Sequence, residues 1–351
     1  MKPPTTLLQE SNLKGDWILA LAQDRSIERA TGELRSRLEE KGYQSRTVSV
    51  QHLRDLQEGI EGNRSRGLLN EEFYHERLTF FAFTPPDLMR EATSLVVVAV
   101  PRPQTRVIFT WQGESMPVIM PPTYAAYRET DRRIEDLLSA ALNPEGYRVA
   151  KAALPQKYLA VCSGLGEYGR NNICYVPGMG SFHQLAAFYT DLPCSEDSWR
   201  KPQMMKRCQS CQACLKNCPT GAITSERFLI RAERCITFHN ERLGRFPAWI
   251  DPSWHNCVVG CLRCQSVCPL NISFREWIEE GEVFSDEETN LILNRVPQGR
   301  LPSKTVKKLE KLDLIEYLDV LPRNLDTLLR REKHALRSNS TGADRSRELL
   351  S

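Results

Sequence analysis

The chain has 351 residues, 41% of them hydrophobic, and 47 Lys plus Arg against 44 Asp plus Glu, a net charge of +3. That length supports two or three domains with a sizeable core, and so small an excess of cations excludes nucleic-acid binding through overall charge alone. The longest apolar run, residues 95–100, is far below the roughly 20 residues that span a bilayer. With no basic start and apolar stretch at the amino terminus, the expectation is a cytoplasmic protein without membrane contact.

Residues 24–43, DRSIERATGELRSRLEEKGY, predict an amphipathic helix with Ile27, Leu34 and Leu38 near one stripe and Gly42 at its end. TVSV follows as a strand, and residues 52–93 mix helical patches with polar breaks. SLVVVAVPRP reads as a buried strand stopped by Pro101 and Pro103, and RVIFTWQ as a second strand. The Pro-rich MPVIMPPTY leads into a long helix over residues 123–142, with Ile134, Leu137, Leu138 and Ala141 on one side. Residues 146–196 hold the Gly-rich GLGEYGRNN and the apolar HQLAAFYTDLPC. After the cysteines the chain is helical, broken by Pro297, Pro302 and Pro322, and residues 295–337 carry eleven Lys or Arg against six Asp or Glu. Solvated helix faces usually carry such charge, but the excess suits contact with a polyanion such as tRNA.

All 12 cysteines fall between Cys162 and Cys268. In a reducing compartment such a cluster points to metal ligands rather than disulfides. In CQSCQACLKNCP, Cys208, Cys211, Cys214 and Cys218 follow the CxxCxxCxxxCP spacing of bacterial ferredoxins. Three thiolates at two-residue gaps wrap three corners of a 4Fe-4S cube, and the fourth, before proline, reaches the other cube. A structural zinc site would instead take two CxxC pairs. Cys261, Cys264 and Cys268 form a second CxxCxxxCP, so by symmetry Cys268 completes the first cube while Cys261 and Cys264 join Cys218 on the second. Its last corner falls to Cys257 or Cys235; Cys257 stands four before Cys261 rather than three, which argues for Cys235.

CQACLKNCPTGAI, RCITF about 17 residues on, and GCLRCQSVCPLN, together with GLGEYGRNN and TDLP upstream, resemble the epoxyqueuosine reductases and the related corrinoid reductive dehalogenases. The resemblance is specific over residues 158–275 and weak before 94 and after 290. It implies ligand sets of Cys208, Cys211, Cys214 and Cys268 for one 4Fe-4S cluster and Cys218, Cys235, Cys261 and Cys264 for the other, leaving Cys162, Cys174, Cys194 and Cys257 as spare, buried small residues. The implied fold is α+β: a nitroreductase-like α/β domain over residues 1–200, a double 4Fe-4S ferredoxin-like domain over 201–280, and a helical tail over 281–351.

The same resemblance implies a cobalamin at the inner end of the clusters and an external electron donor of flavodoxin or ferredoxin type, in a chain expected to be a monomer. Gly164, Gly166 and Gly169, with Arg170 and Asn171, are then expected beside the corrinoid, where absent side chains permit close approach. Ungapped matching back from Gly164 places the family's catalytic aspartate on Ala150, and residues 146–166 contain no Asp or Glu. Tyr158 beside Lys157, or Tyr147 beside Arg148, is the substitute proton donor this stretch offers. His183 and His239 read as structural residues. The expected activity is reduction of tRNA epoxyqueuosine or another electrophile; the alternative is an electron-transfer or corrinoid-activating protein with no substrate of its own.

Overall fold

A computed structural model of the chain describes residues 25–331. Its first helix, α1 (residues 25–40), buries Ala30, Leu34 and Leu38 at helical spacing. It stops where Gly42 takes φ +73° and the amides of Gly42 and Tyr43 return to the carbonyls of Glu39 and Leu38. Strand β1 (Gln44–Ser49) follows, then α2 (Leu53–Ser65) and α3 (Glu71–Arg77), the latter capped by the Asn70 side chain accepting from the Phe73 amide at 2.9 Å.

The apolar run is β2 (Ser94–Pro101), a central strand. Next come β3 (Gln104–Trp111), β4 (Glu114–Met120), α4 (Tyr127–Leu142), β5 (Val149–Lys151) and α5 (Gln156–Cys162). The short β6 (Glu167–Tyr168) and β7 (Cys174–Tyr175) pair with each other before β8 (His183–Thr190). The main sheet has the antiparallel order β1-β2-β8-β5. Leu95, Val97 and Ala99 pack on the side of α2 and α5, while Val96, Val98 and Val100 pack on the side of α1 and α4. Covered on both faces, β2 reads as unbroken apolar sequence.

The cysteine segment has little regular structure: α6 (Ala213–Asn217), α7 (Ile236–Asn240) and α8 (Arg263–Ser266) are single turns, with α6 packed on α8. Beyond it lie β9 (Ile278–Phe284), α9 (Asp286–Leu293), α10 (Ser303–Lys311) and α11 (residues 321–331).

The boundary expected at 280 falls inside β9 (Ile278–Phe284). β9 pairs parallel with β3, and β3, β4 and β9 form a second sheet whose core is shared with the tail helices through Phe109, Phe284, Leu309, Leu321 and Leu325. The lead-in to the long helix is likewise a strand, β4, joined to β3 by a two-residue turn in which Gln112 and Gly113 have φ +54° and +79°.

The tail's cations are largely spent within the molecule. Lys308 bonds the buried Glu288 at 2.6 Å, Lys311 reaches Glu282, Arg330 pairs with Asp326, and Arg323 donates to the carbonyls of His239, Arg242 and Gly244. Arg300, Lys304 and Lys307 stay exposed on this surface, and Lys333 and Arg337 lie outside the described residues.

Asn271 ties the two halves together. Its amide accepts from Ser181 N at 3.0 Å and donates to Ser181 Oγ and Gln265 O, both at 2.8 Å. Fully buried beside Gly180, where a Cβ would meet its Oδ1 at 2.4 Å, it has no solvent to replace these partners. Asn271→Ala leaves the Ser181 amide unsatisfied and is expected to cost about 2–3 kcal/mol, a fall of several degrees in melting temperature measurable by calorimetry.

Candidate metal centre and adjoining cavity

Each cysteine motif turns on a proline. Cys218 ends α6 with φ −82° and ψ 104°, before Pro219; Cys268, just past α8, has φ −71° and ψ 126°, before Pro269. A residue before proline is held out of the helical region, so both cysteines leave their own turn in extended geometry.

The electrostatic neighbourhoods divide the thiols into two sets. Burial pushes Cys208 up, and Cys268 and Cys211 beside it push the same way; Cys214 is raised to about 11 by burial, then by Cys208, Cys268 and Cys211. Cys235 is raised by burial and by neighbouring Cys218. Cys261 reaches about 11 through burial and Cys235, and Cys264 is driven well above the ordinary thiol range by burial, Cys261 and Cys235. Cys264 also feels Cys214, so the two sets adjoin. Thiols this desolvated stay protonated until a metal replaces the proton. Among the described residues no three His, Cys, Asp or Glu side chains converge closely enough to hold one ion; each set faces a wider space.

Cys257 is turned away. Fully buried, its thiol donates to Asn256 Oδ1 at 3.0 Å, and Asn256 in turn lies 3.5 Å from Cys261 Sγ through its amide nitrogen. Cys261 is still a charge neighbour of Cys257, but Cys257, unlike the second set, does not line the adjoining cavity, and Asn256, absent from the sequence reading, holds its thiol.

Cys218, Cys235, Cys261 and Cys264 line a cavity of about 680 Å³ that continues into the α/β half, where α3, α4, β5, α5 and β8 contribute. Its walls are mostly apolar, with two acidic groups. On one wall, buried Asp131 pairs with Lys151 and accepts from Gln184 Nε2 at 2.8 Å. On the other, the Tyr124 hydroxyl donates to Glu241, which also faces Arg77 at 3.3 Å. Burial raises Glu241 above the usual carboxylate range and Tyr124 well above the usual phenol range.

Two buried acceptors on this wall lack a partner. His183 Nε2 lies 3.1 Å from the Cys174 carbonyl, and burial lowers the ring to about 4. The neutral ring therefore donates from Nε2, leaving Nδ1 as a bare acceptor; Gln184 Oε1 is equally unpartnered. These two acceptors and the apolar walls suit a ligand that brings hydrogen-bond donors at its rim.

Several expected cofactor and catalytic residues serve other ends. Gly164, Gly166, Gly169 and Arg170 do not line the cavity. A Cβ on Gly166 would meet Cys174 Sγ at 2.5 Å, and one on Gly169 would meet Asn171 Oδ1 at 2.6 Å, so these glycines permit the β6–β7 hairpin to close on itself. Arg170 donates to the Cys208 and Gln209 carbonyls at 2.7 and 3.2 Å, fixing the first cysteine loop. Asn171 does line the cavity, beside Cys264.

Tyr158 packs its phenol against Gly59 of α2 and is pushed to about 12 by burial, which removes it from the cavity, whereas Lys157 lines it. Ala150 packs toward the core while its neighbour Lys151 reaches Asp131. Tyr147 and Arg148 are also away from the cavity, Arg148 pairing with Asp191 at 2.9 Å.

Known proteins agree with the cysteine reading. Residues 207–271 match the 4Fe-4S double cluster binding domain. The chain is 33% identical over 148 residues to the epoxyqueuosine reductase of Pseudomonas aeruginosa and 35% over 118 residues to that of Bacillus subtilis, covering 41% and 34% of this chain. These alignments span only 40% and 29% of the two relatives. In fold, a structure of epoxyqueuosine reductase from Bacillus subtilis superposes with a TM-score of 0.61 at 22% identity, over 87% of this chain and 82% of that one. One solved with an epoxyqueuosine-modified tRNA stem loop gives 0.62 at 21% identity, with the same coverage. The α/β half and the cysteine segment therefore share one fold with those enzymes, and the chain is similar in sequence to the epoxyqueuosine reductases over the part that holds its match to the 4Fe-4S double cluster binding domain.

Proposed function

We propose that the protein is an iron-sulfur reductase in which Cys208, Cys211, Cys214 and Cys268 hold one 4Fe-4S cluster and Cys218, Cys235, Cys261 and Cys264 the other. The observation that carries this reading is that the second set alone lines the cavity, so electrons leaving it arrive where a substrate is enclosed. A pure electron carrier has no need of such a chamber. If the assignment holds, Cys257→Ser keeps the full iron content after anaerobic reconstitution, while Cys235→Ser loses about half of it, one cube of two.

His183 and Gln184, with the apolar walls of the cavity, would hold a corrinoid, which would supply a cobalt centre able to deliver electrons to an electrophile. The chain's own residues supply the enclosure and the protons. Removing an epoxide oxygen as water consumes two electrons and two protons. Glu241 is the acid on this wall to test as proton carrier: burial disfavours its charged form, against the Tyr124 hydroxyl and Arg77, which favour it. Asp131, joined to Lys151, and Lys157 keep the opposite wall polar and orient the substrate. The first substrate to test is epoxyqueuosine in tRNA, which one structural relative holds as a stem loop.

Anaerobic reconstitution with cobalamin, followed by incubation with that stem loop and a reductant, is expected to retain the corrinoid and yield deoxygenated product; failure to retain cobalamin contradicts the reading. An acid that must carry its proton works below its pKa, so turnover falls as pH rises through the elevated pKa of Glu241. Glu241→Gln is expected to lower turnover about a hundredfold and abolish that fall; an unchanged pH profile in the variant shifts the role to another group.

A further inference from the structure

The two cysteine sets meet different surroundings. The second lies against the cavity, whereas the first is threaded through a surface loop: Lys206, Arg207, Gln209, Ser210, Gln212 and Lys216 are all exposed around Cys208, Cys211 and Cys214. None of these six lines the cavity.

This loop is unusually one-sided in charge. Between Ser198 and Ser225 the chain has no Asp or Glu, yet it has Arg200, Lys201, Lys206, Arg207 and Lys216. The second motif continues the pattern, with Arg263 and Arg275 and no acid from Cys257 to Arg275. Elsewhere on the surface Arg64, Arg128, Arg148 and Arg242 each face a carboxylate. Among the described residues Lys201, Lys206, Arg207 and Lys216 have no ion-pair partner. The turn that begins at Cys268 adds an apolar spot, Ile272, 59% exposed.

Exposed, unpaired cations in the same loop as Cys208, Cys211 and Cys214 suit a brief encounter with an acidic protein. Charge brings the partners together quickly, and the small contact lets them part after one electron has moved. We propose that the surface bearing Lys201, Lys206, Arg207 and Lys216 is the docking site of an acidic one-electron carrier protein. Its electrons enter at the first cysteine set and leave at the second. The inference rests on the cluster assignment above. RNA is the less favoured occupant, because a base to be reduced must enter the cavity, which these cations do not line.

The test uses the iron-loaded chain and a reduced, acidic flavodoxin in anaerobic stopped flow. The bimolecular rate of cluster reduction is expected to fall steeply as salt is raised, since screening weakens steering. Lys206→Glu with Lys216→Glu is expected to lower the rate about tenfold or more, with dithionite reduction and iron content unchanged. Lys201→Glu, farther from any cysteine, provides a milder step in the same direction should the double variant lose iron. A rate indifferent to salt and to Lys201→Glu overturns the proposal. So does an unaltered flavodoxin rate accompanied by weakened binding of a tRNA stem loop, which assigns the surface to RNA. Iron-free wild-type protein after reconstitution contradicts the cluster assignment itself, whereas iron-replete protein with an insensitive rate contradicts only the docking site.

Discussion

Pro219 and Pro269 hold the preceding cysteines extended, and this backbone constraint governs how two separate motifs can serve two common centres. Cys268 comes to lie beside Cys208 and Cys214, and Cys218 beside Cys235, so in the proposed assignment neither motif is complete without the other. The segment between them must then fold back, which carries Cys235 into place at the start of α7. Arg323 and Asn324 of the tail hold that turn by its carbonyls, Asn324 bonding the Asn240 and Val258 carbonyls at 2.8 and 2.9 Å. The last helices therefore brace the cysteine segment as well as closing the second sheet.

From that crossing follows the polarity of the molecule. One cysteine set meets solvent among unpaired cations and the other meets an enclosed, mostly apolar cavity. Low dielectric around the inner set strengthens every charge interaction there and makes each unmatched group costly. His183 Nδ1 and Gln184 Oε1 carry that cost in this fold, an arrangement expected where a ligand completes the bonding.

The double-cluster character of the cysteine segment was legible in the sequence because metal coordination dictates spacing. β2 was legible because a strand covered on both faces must be apolar throughout. β4 was not, since Pro117 reads as a breaker; in the order β4-β3-β9 it lies on an edge strand, where a missing amide is tolerated. β9, IEEGEVF, is another edge whose exposed acids hid its pairing. The wall formed by Tyr124 and Glu241 was out of reach for a different reason. Tyr124 and Glu241 are far apart in the chain and meet only after folding, while the adjacent Tyr158 and Lys157 point to different places because successive residues of a helix do not share a face.

The central claim is that these eight cysteines hold two four-iron clusters. The most direct measurement is iron and acid-labile sulfide per chain after anaerobic reconstitution, with electron paramagnetic resonance of the reduced protein. The account predicts about eight iron and about eight sulfide per chain and a spectrum broadened by two adjoining reduced clusters. Zinc without sulfide, or only about four iron with the signal of an isolated cluster, would contradict it.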